Sequence, residues 1–139
     1  MSEQDNLAAV RSFFEGFNRG DLNGAMAIYA DDAEVVDPTG PQRGKGQILA
    51  ALQGWKTAFP DAKGQITNQV AAGDQVATEV AFRGTHTGPL AGPAGSIPAT
   101  GKSVAMTGAF VQSFRNGKVQ AERGYFDMAG MMQQLGLAG

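Results

Sequence analysis

Apolar residues at Leu7, Val10, Phe13, Phe14 and Phe17 recur at spacings of three and four between Asp5 and Arg19, which places them on one stripe of an amphipathic helix. Asp5 or Asn6 is suited to cap its start, and Arg19-Gly20-Asp21 ends it and caps a second helical stretch, Leu22 to Tyr29. Asp31-Asp32 breaks the pattern. Ala33 to Asp37 reads as a short strand closed by Pro38, which cannot continue a central ladder. Gly44 to Phe59 returns to helical spacing through Ile48, Leu49, Leu52 and Trp55, and Pro60 stops it. Beyond Pro60 the period shortens. Lys63 to Ala72, Gln75 to Thr87 and Gly101 to Arg115 are strands rich in Val, Thr and Phe, and Asn116-Gly117 predicts a tight hairpin into a last strand, Val119 to Phe126. Gly88 to Gly101, poor in large apolar residues, reads as a loop, and Asp127 caps a terminal helix that stops at Gly136.

Helices followed by hairpin-joined strands predict an α+β fold: a curved antiparallel sheet wrapped as a cone around the N-terminal helices and enclosing a pocket. The 139 residues fit one domain spanning 1–139, long enough to bury about two-thirds of its surface, and 42% of them are apolar. The absence of cysteine removes disulfides and thiolate metal sites, and a single histidine cannot build an imidazole triad. Eleven basic and thirteen acidic residues leave a net charge of −2, so bulk charge favours neither nucleic acid nor an anionic membrane. No apolar run reaches the ~20 residues of a bilayer span and the first residues are polar, so the expectation is a cytoplasmic protein. Nucleophile elbows, phosphate loops, HExxH and strand-linked GxGxxG are all missing, and no cofactor is expected.

The run Tyr29-Ala-Asp-Asp-Ala-Glu-Val-Val-Asp37-Pro38-Thr-Gly, followed by Gly44 and a helix, resembles the early region of ketosteroid isomerases. Gly84-Thr-His86-Thr-Gly88, Pro98-Ala-Thr-Gly101-Lys, Asn116-Gly-Lys118 and the Asp127 to Gly136 ending resemble SnoaL-like polyketide cyclases. Both belong to the nuclear-transport-factor-2-like superfamily of α+β cones, and the resemblance runs along nearly the whole chain. It implies a small carbonyl, polyketide-like or steroid-like ligand, while the convex sheet face, with its β-branched and alanine positions, suits a homodimer. In the isomerases the aspartate of the Asp-Pro pair is the base, here Asp37. The resemblance puts their oxyanion-hole tyrosine and acid at Phe13 and Phe110, neither of which donates a hydrogen bond. The cyclases' acid/base aspartate falls on Gly124, a histidine two residues earlier on Glu122, and a second pocket histidine on Gln112. The frame is kept and the catalytic set is exchanged.

Three residues are candidate catalysts. Asp37, at the end of a strand opening into an apolar cavity, suits a general base; its other reading is ordinary turn chemistry in Asp-Pro-Thr-Gly. Glu122 shares its alternation phase with Gly124 and Phe126, so it either faces the pocket as an acid or base or pairs with Arg83 or Arg123 on the outer face. His86 stands at a strand end before the Gly/Pro loop, as a catalyst or as a loop anchor. Substrate contacts are expected from Phe13, Phe17, Tyr29, Trp55 and Phe59 at the helical side and from Met106, Phe110, Gln112 and Phe126 on the strands, several of which also suit a core. Tyr125, on the opposite face, suits a dimer interface, and Asp127 an N-cap.

The reading that follows is a cofactor-independent isomerase or aldol-type cyclase acting by proton transfer on an apolar carbonyl compound. The alternative is a non-catalytic pocket for a hydrophobic ligand, or a dimerising module. A third reading, epoxide hydrolysis, needs Arg123 between Asp37 and Glu122.

Overall fold

In a computed structural model that describes residues 2–92 and 95–137, the first helix α1 (Glu3–Asn18) starts earlier than its apolar stripe. Ser2, ahead of the expected Asp5 or Asn6, is the cap: its Oγ accepts from the Asp5 N–H while the Asp5 carboxylate accepts from the Ser2 N–H, a reciprocal capping box. Asp21 caps the four-residue α2 (Leu22–Ala25), which tightens into a single 3-10 turn at Met26–Ile28. The predicted second helix therefore ends before Tyr29. Strand β1 (Tyr29–Asp37) begins there instead of at Ala33, and the tight turn at Pro38-Thr39 leads into β2 (Gly40–Arg43). Helix α3 (Gly44–Ala58) follows.

The long strands β3 (Lys63–Ala72), β4 (Gln75–Thr85), β7 (Ser103–Arg115) and β8 (Lys118–Phe126) lie where the two-residue period predicts them. Asn116 and Gly117 both hold positive φ, 52° and 77°, as their hairpin requires. The stretch expected to be loop carries a small ribbon of its own, β5 (Leu90–Gly92) with β6 (Gly95–Ile97). Asp127 caps α4 (Met128–Gln134) through the Gly130 N–H at 2.8 Å.

The main sheet has the order β2-β1-β8-β7-β4-β3. It is mixed, which corrects the expectation of an antiparallel sheet: β1 runs parallel to β8, pairing Val35 with Glu122 and Val36 with Arg123. Hairpins force their two strands to oppose each other, whereas β1 and β8 are joined by most of the chain and are free of that constraint. The fold is otherwise the predicted α+β arrangement, with Val10, Phe13 and Phe17 of α1 and Ile48 of α3 buried in the core. On the sheet, Gly108 pairs with Phe126, Phe110 with Gly124 and Gln112 with Glu122. Alternation then turns Met106, Phe110 and Gln112 of β7 and Glu122 and Phe126 of β8 to one side, facing the helices.

Candidate active site

Between α1, α3 and that inner face lies a hollow of about 120 Å³. Its walls are mostly aromatic. Phe13 and Phe17 of α1 and Trp55 of α3 line it from the helices, and Tyr29 of β1, Met106, Phe110 and Gln112 of β7 and Phe126 of β8 from the sheet. Phe13 meets the Tyr29 ring edge-on with centroids 6.0 Å apart, and Trp55 meets Phe126 in the same way at 5.8 Å. Phe14, Ile48, Leu52 and Phe82 complete the apolar wall. Phe59 is the exception among the predicted contacts: it is fully buried outside the hollow, where it packs on the His86 ring.

One end of the hollow is polar. Glu122 is 8% exposed, and its Oε1 accepts from the Tyr29 hydroxyl at 2.7 Å and from Gln112 Nε2 at 2.6 Å. Burial pushes the Glu122 carboxyl above its ordinary value of about 4.5; the two donated hydrogen bonds oppose this, and the negative charge of Asp37 adds to it. Burial also raises the Tyr29 hydroxyl well above its ordinary value, with the Glu122 carboxylate as the second cause, so Tyr29 remains an O–H donor. This position overturns the outer-face alternative for Glu122. Arg123, the next residue, is exposed on the opposite side of the strand and does not stand between two carboxylates, so the arrangement needed for epoxide hydrolysis is absent.

Asp37 reaches the same hollow from the end of β1 and is half-buried. Its Oδ1 accepts from the Thr39 N–H at 2.8 Å and from the Thr39 hydroxyl at 2.5 Å, so the turn chemistry and the pocket position coexist. Gln42 secures that turn by donating to Thr39 Oγ1 and to the Gly40 carbonyl, and it lines the hollow as well. A Cβ on Gly124 would stand 3.2 Å from Asp37 Cβ and 3.2 Å from the Phe110 ring. The absent side chain leaves Asp37 and Phe110 room against β8.

His86 lies away from the hollow's lining. It is fully buried, its Nδ1 accepts from the Thr100 N–H at 3.2 Å and lies 3.0 Å from Thr100 Oγ1, and its backbone bonds to Gly101 and Lys102. Those contacts tie the strand end to the far side of the Gly/Pro stretch. Sequence reasoning put Tyr29 in the wall but missed its hydroxyl as the partner of Glu122; Gln42 it missed altogether. A lone glutamine in Gly-Pro-Gln-Arg gives no signal. Among the described residues no three His, Asp or Glu side chains converge on a metal-sized site, and no helix is long and apolar enough to cross a membrane.

The profile of the SnoaL-like polyketide cyclase family matches residues 8–135. Among solved structures, IdmH of Streptomyces antibioticus, a proposed polyketide cyclase, is 28% identical over 94% of this chain and 98% of its own, with a TM-score of 0.79. AclR of Streptomyces galilaeus, a proposed hydroxylase, is 22% identical over 99% of this chain and 89% of its own, with a TM-score of 0.85. A protein of Catenulispora acidiphila DSM 44928 with a ketosteroid isomerase-like fold, in complex with trimethylamine, is 21% identical over 93% and 92%, with a TM-score of 0.77. No curated protein matches the chain.

Proposed function

The chain belongs to the SnoaL-like polyketide cyclase family, and from that premise we propose that it is a cofactor-independent enzyme that moves a proton on a small apolar carbonyl compound, as an isomerase or an aldol-type cyclase does. One observation carries this reading: two carboxyl groups in different surroundings, half-buried Asp37 and buried Glu122, meet at one aromatic hollow. Such pairs divide acid and base roles between them. Asp37 keeps Oδ1 on Thr39 and takes the substrate's α-proton on its other oxygen. Glu122, whose burial favours the neutral form, donates a hydrogen bond to the carbonyl oxygen as negative charge develops there. Returning the proton from Asp37 to another carbon isomerises the enone; attack of the enolate on a second carbonyl closes a ring. Phe13 and Phe110 exclude water and leave Glu122 as the oxyanion's acid.

The test follows cyclohex-3-enone in deuterated buffer by NMR, reading both conversion to the conjugated enone and deuterium uptake at the α-carbon. Asp37→Asn is expected to slow both by about 10²–10⁴-fold, the usual contribution of a general base. Unchanged rates would take Asp37 out of the mechanism. A second reading, a pocket that binds an apolar ligand without turning it over, is favoured by the bonding of Asp37 Oδ1 within its own turn. It predicts ligand binding with no exchange in the unaltered protein.

A further inference from the structure

One aromatic ring in the hollow lies over two glycines. Phe110 on β7 faces Gly124 across the β7–β8 ladder, and Gly108 stands two residues before it on the same side of β7. A Cβ on Gly124 would come 3.2 Å from the Phe110 ring, at both Cδ1 and Cε1, and a Cβ on Gly108 would come 4.0 Å from its Cε2. The ring therefore covers bare backbone of both strands, in space that side chains at 108 and 124 would otherwise enter. Gly124 is buried beneath it, while Phe110 itself lines the hollow. The ring also borders the base of the proposed reaction, since the same point above Gly124 is 3.2 Å from Asp37 Cβ. Phe14 of α1 packs against it with centroids 6.3 Å apart.

We propose that Phe110 sets the ligand class: its ring limits the hollow to a carbonyl compound of one six-membered ring and excludes a second ring fused beside the carbon that Asp37 reaches. Size decides this. A dry cavity of ~150 Å³ takes up benzene, and this hollow, at about 120 Å³, has room for one such ring and none for a fused pair. Phe13 is an unsuitable place to enlarge the space, because it is buried among Phe14, Phe17 and Tyr29 and belongs to the core. Phe110 is half-buried, and below it lie glycines that offer no side chain in its stead. The inference deepens the proton-transfer reading, on which it rests for the carbonyl and for Asp37, and it adds the number of rings, which that reading leaves open.

Binding is read from the fluorescence of Trp55, the single tryptophan and a residue of the wall. The probes are cyclohex-2-enone and its fused bicyclic homologue Δ1,9-2-octalone, which carry the same carbonyl and double bond. Each added methylene strengthens binding by about fourfold where it is buried, so the bicycle binds more tightly in any hollow that admits it. The unaltered protein is expected to reverse that order and to favour the single ring by about tenfold or more. Phe110→Ala clears a space of about one benzene ring and is expected to favour the bicycle. Phe110→Val, which keeps a strand-forming side chain should the alanine variant not fold, is expected to lower the preference for the single ring by at least about threefold. Equal or tighter binding of the bicycle by the unaltered protein would overturn the proposal. So would an unchanged preference in the variants that fold, or binding of neither probe at millimolar concentration. Fluorescence reports occupancy whether or not a proton moves, so a protein without turnover can still meet this expectation, and one with turnover can still fail it.

Discussion

Glu122 joins sequence, packing and chemistry at a single side chain. Alternation along β8 separates Glu122, Gly124 and Phe126 from Ala121, Arg123 and Tyr125, but neither set is plainly the apolar one. The sequence thus shows that Glu122 shares a face with Phe126 and leaves open which face is inside. What decides it lies far off in the chain: Tyr29, 93 residues away, supplies the hydroxyl that Glu122 accepts. A consequence for stability follows from the raised carboxyl. Because the folded Glu122 binds its proton more tightly than the unfolded one, the native state holds more protons across the interval above pH 4.5, and stability falls as pH rises through it. Glu122→Gln keeps the neutral shape and removes the titration. Urea midpoints between pH 4.5 and 8 are expected to decline for the unaltered protein, with Glu122 contributing up to about 1.4 kcal/mol per pH unit, and to lose that component in the variant.

Elements with a strong period of their own were legible, and those defined by their neighbours were not. The β3 limits and the Asn116-Gly117 hairpin agree with the pattern, since alternation and positive-φ turns are local properties. The start of β1 is different. Tyr29-Ala-Asp-Asp has no alternation, and it is strand because it pairs beside β8, with Tyr29 opposite Val119 and a register shift before Glu34. Gly40–Arg43 is likewise strand only through its ladder to β1. His86 was legible as a loop anchor and equally as a catalyst, and only its distance from the hollow separates the two. Gly124 shows how one position serves both the strand and the site: it gives β8 a gap into which Asp37 and Phe110 pack. Restoring the cyclases' aspartate by Gly124→Asp adds bulk where a Cβ already lies 3.2 Å from two neighbours, and is expected to cost about 1–3 kcal/mol in urea unfolding.

For the whole molecule, the sheet separates two environments. Its inner face encloses the aromatic hollow, while its outer face exposes Val36 on β1 and Tyr125 on β8, each about half accessible at 54%. Those two exposed apolar side chains suit contact with a second copy of the chain, the homodimer expected from the convex sheet face. Sedimentation is expected to find a dimer at micromolar concentration, and Tyr125→Glu to shift it toward monomer while leaving the hollow intact. The shape of the cone was legible because its helices and hairpins are encoded locally; the contents of its polar end were not, because four elements contribute to them.

The account depends most on Glu122 holding its proton in the hollow, and carboxyl carbon NMR of glutamate-labelled protein measures that directly. The Glu122 resonance, assigned by its loss in Glu122→Gln, is expected to remain that of a neutral acid through the ordinary carboxyl value of about 4.5, and to move only at higher pH. Titration of Glu122 at its ordinary carboxyl value, about 4.5, would contradict the account.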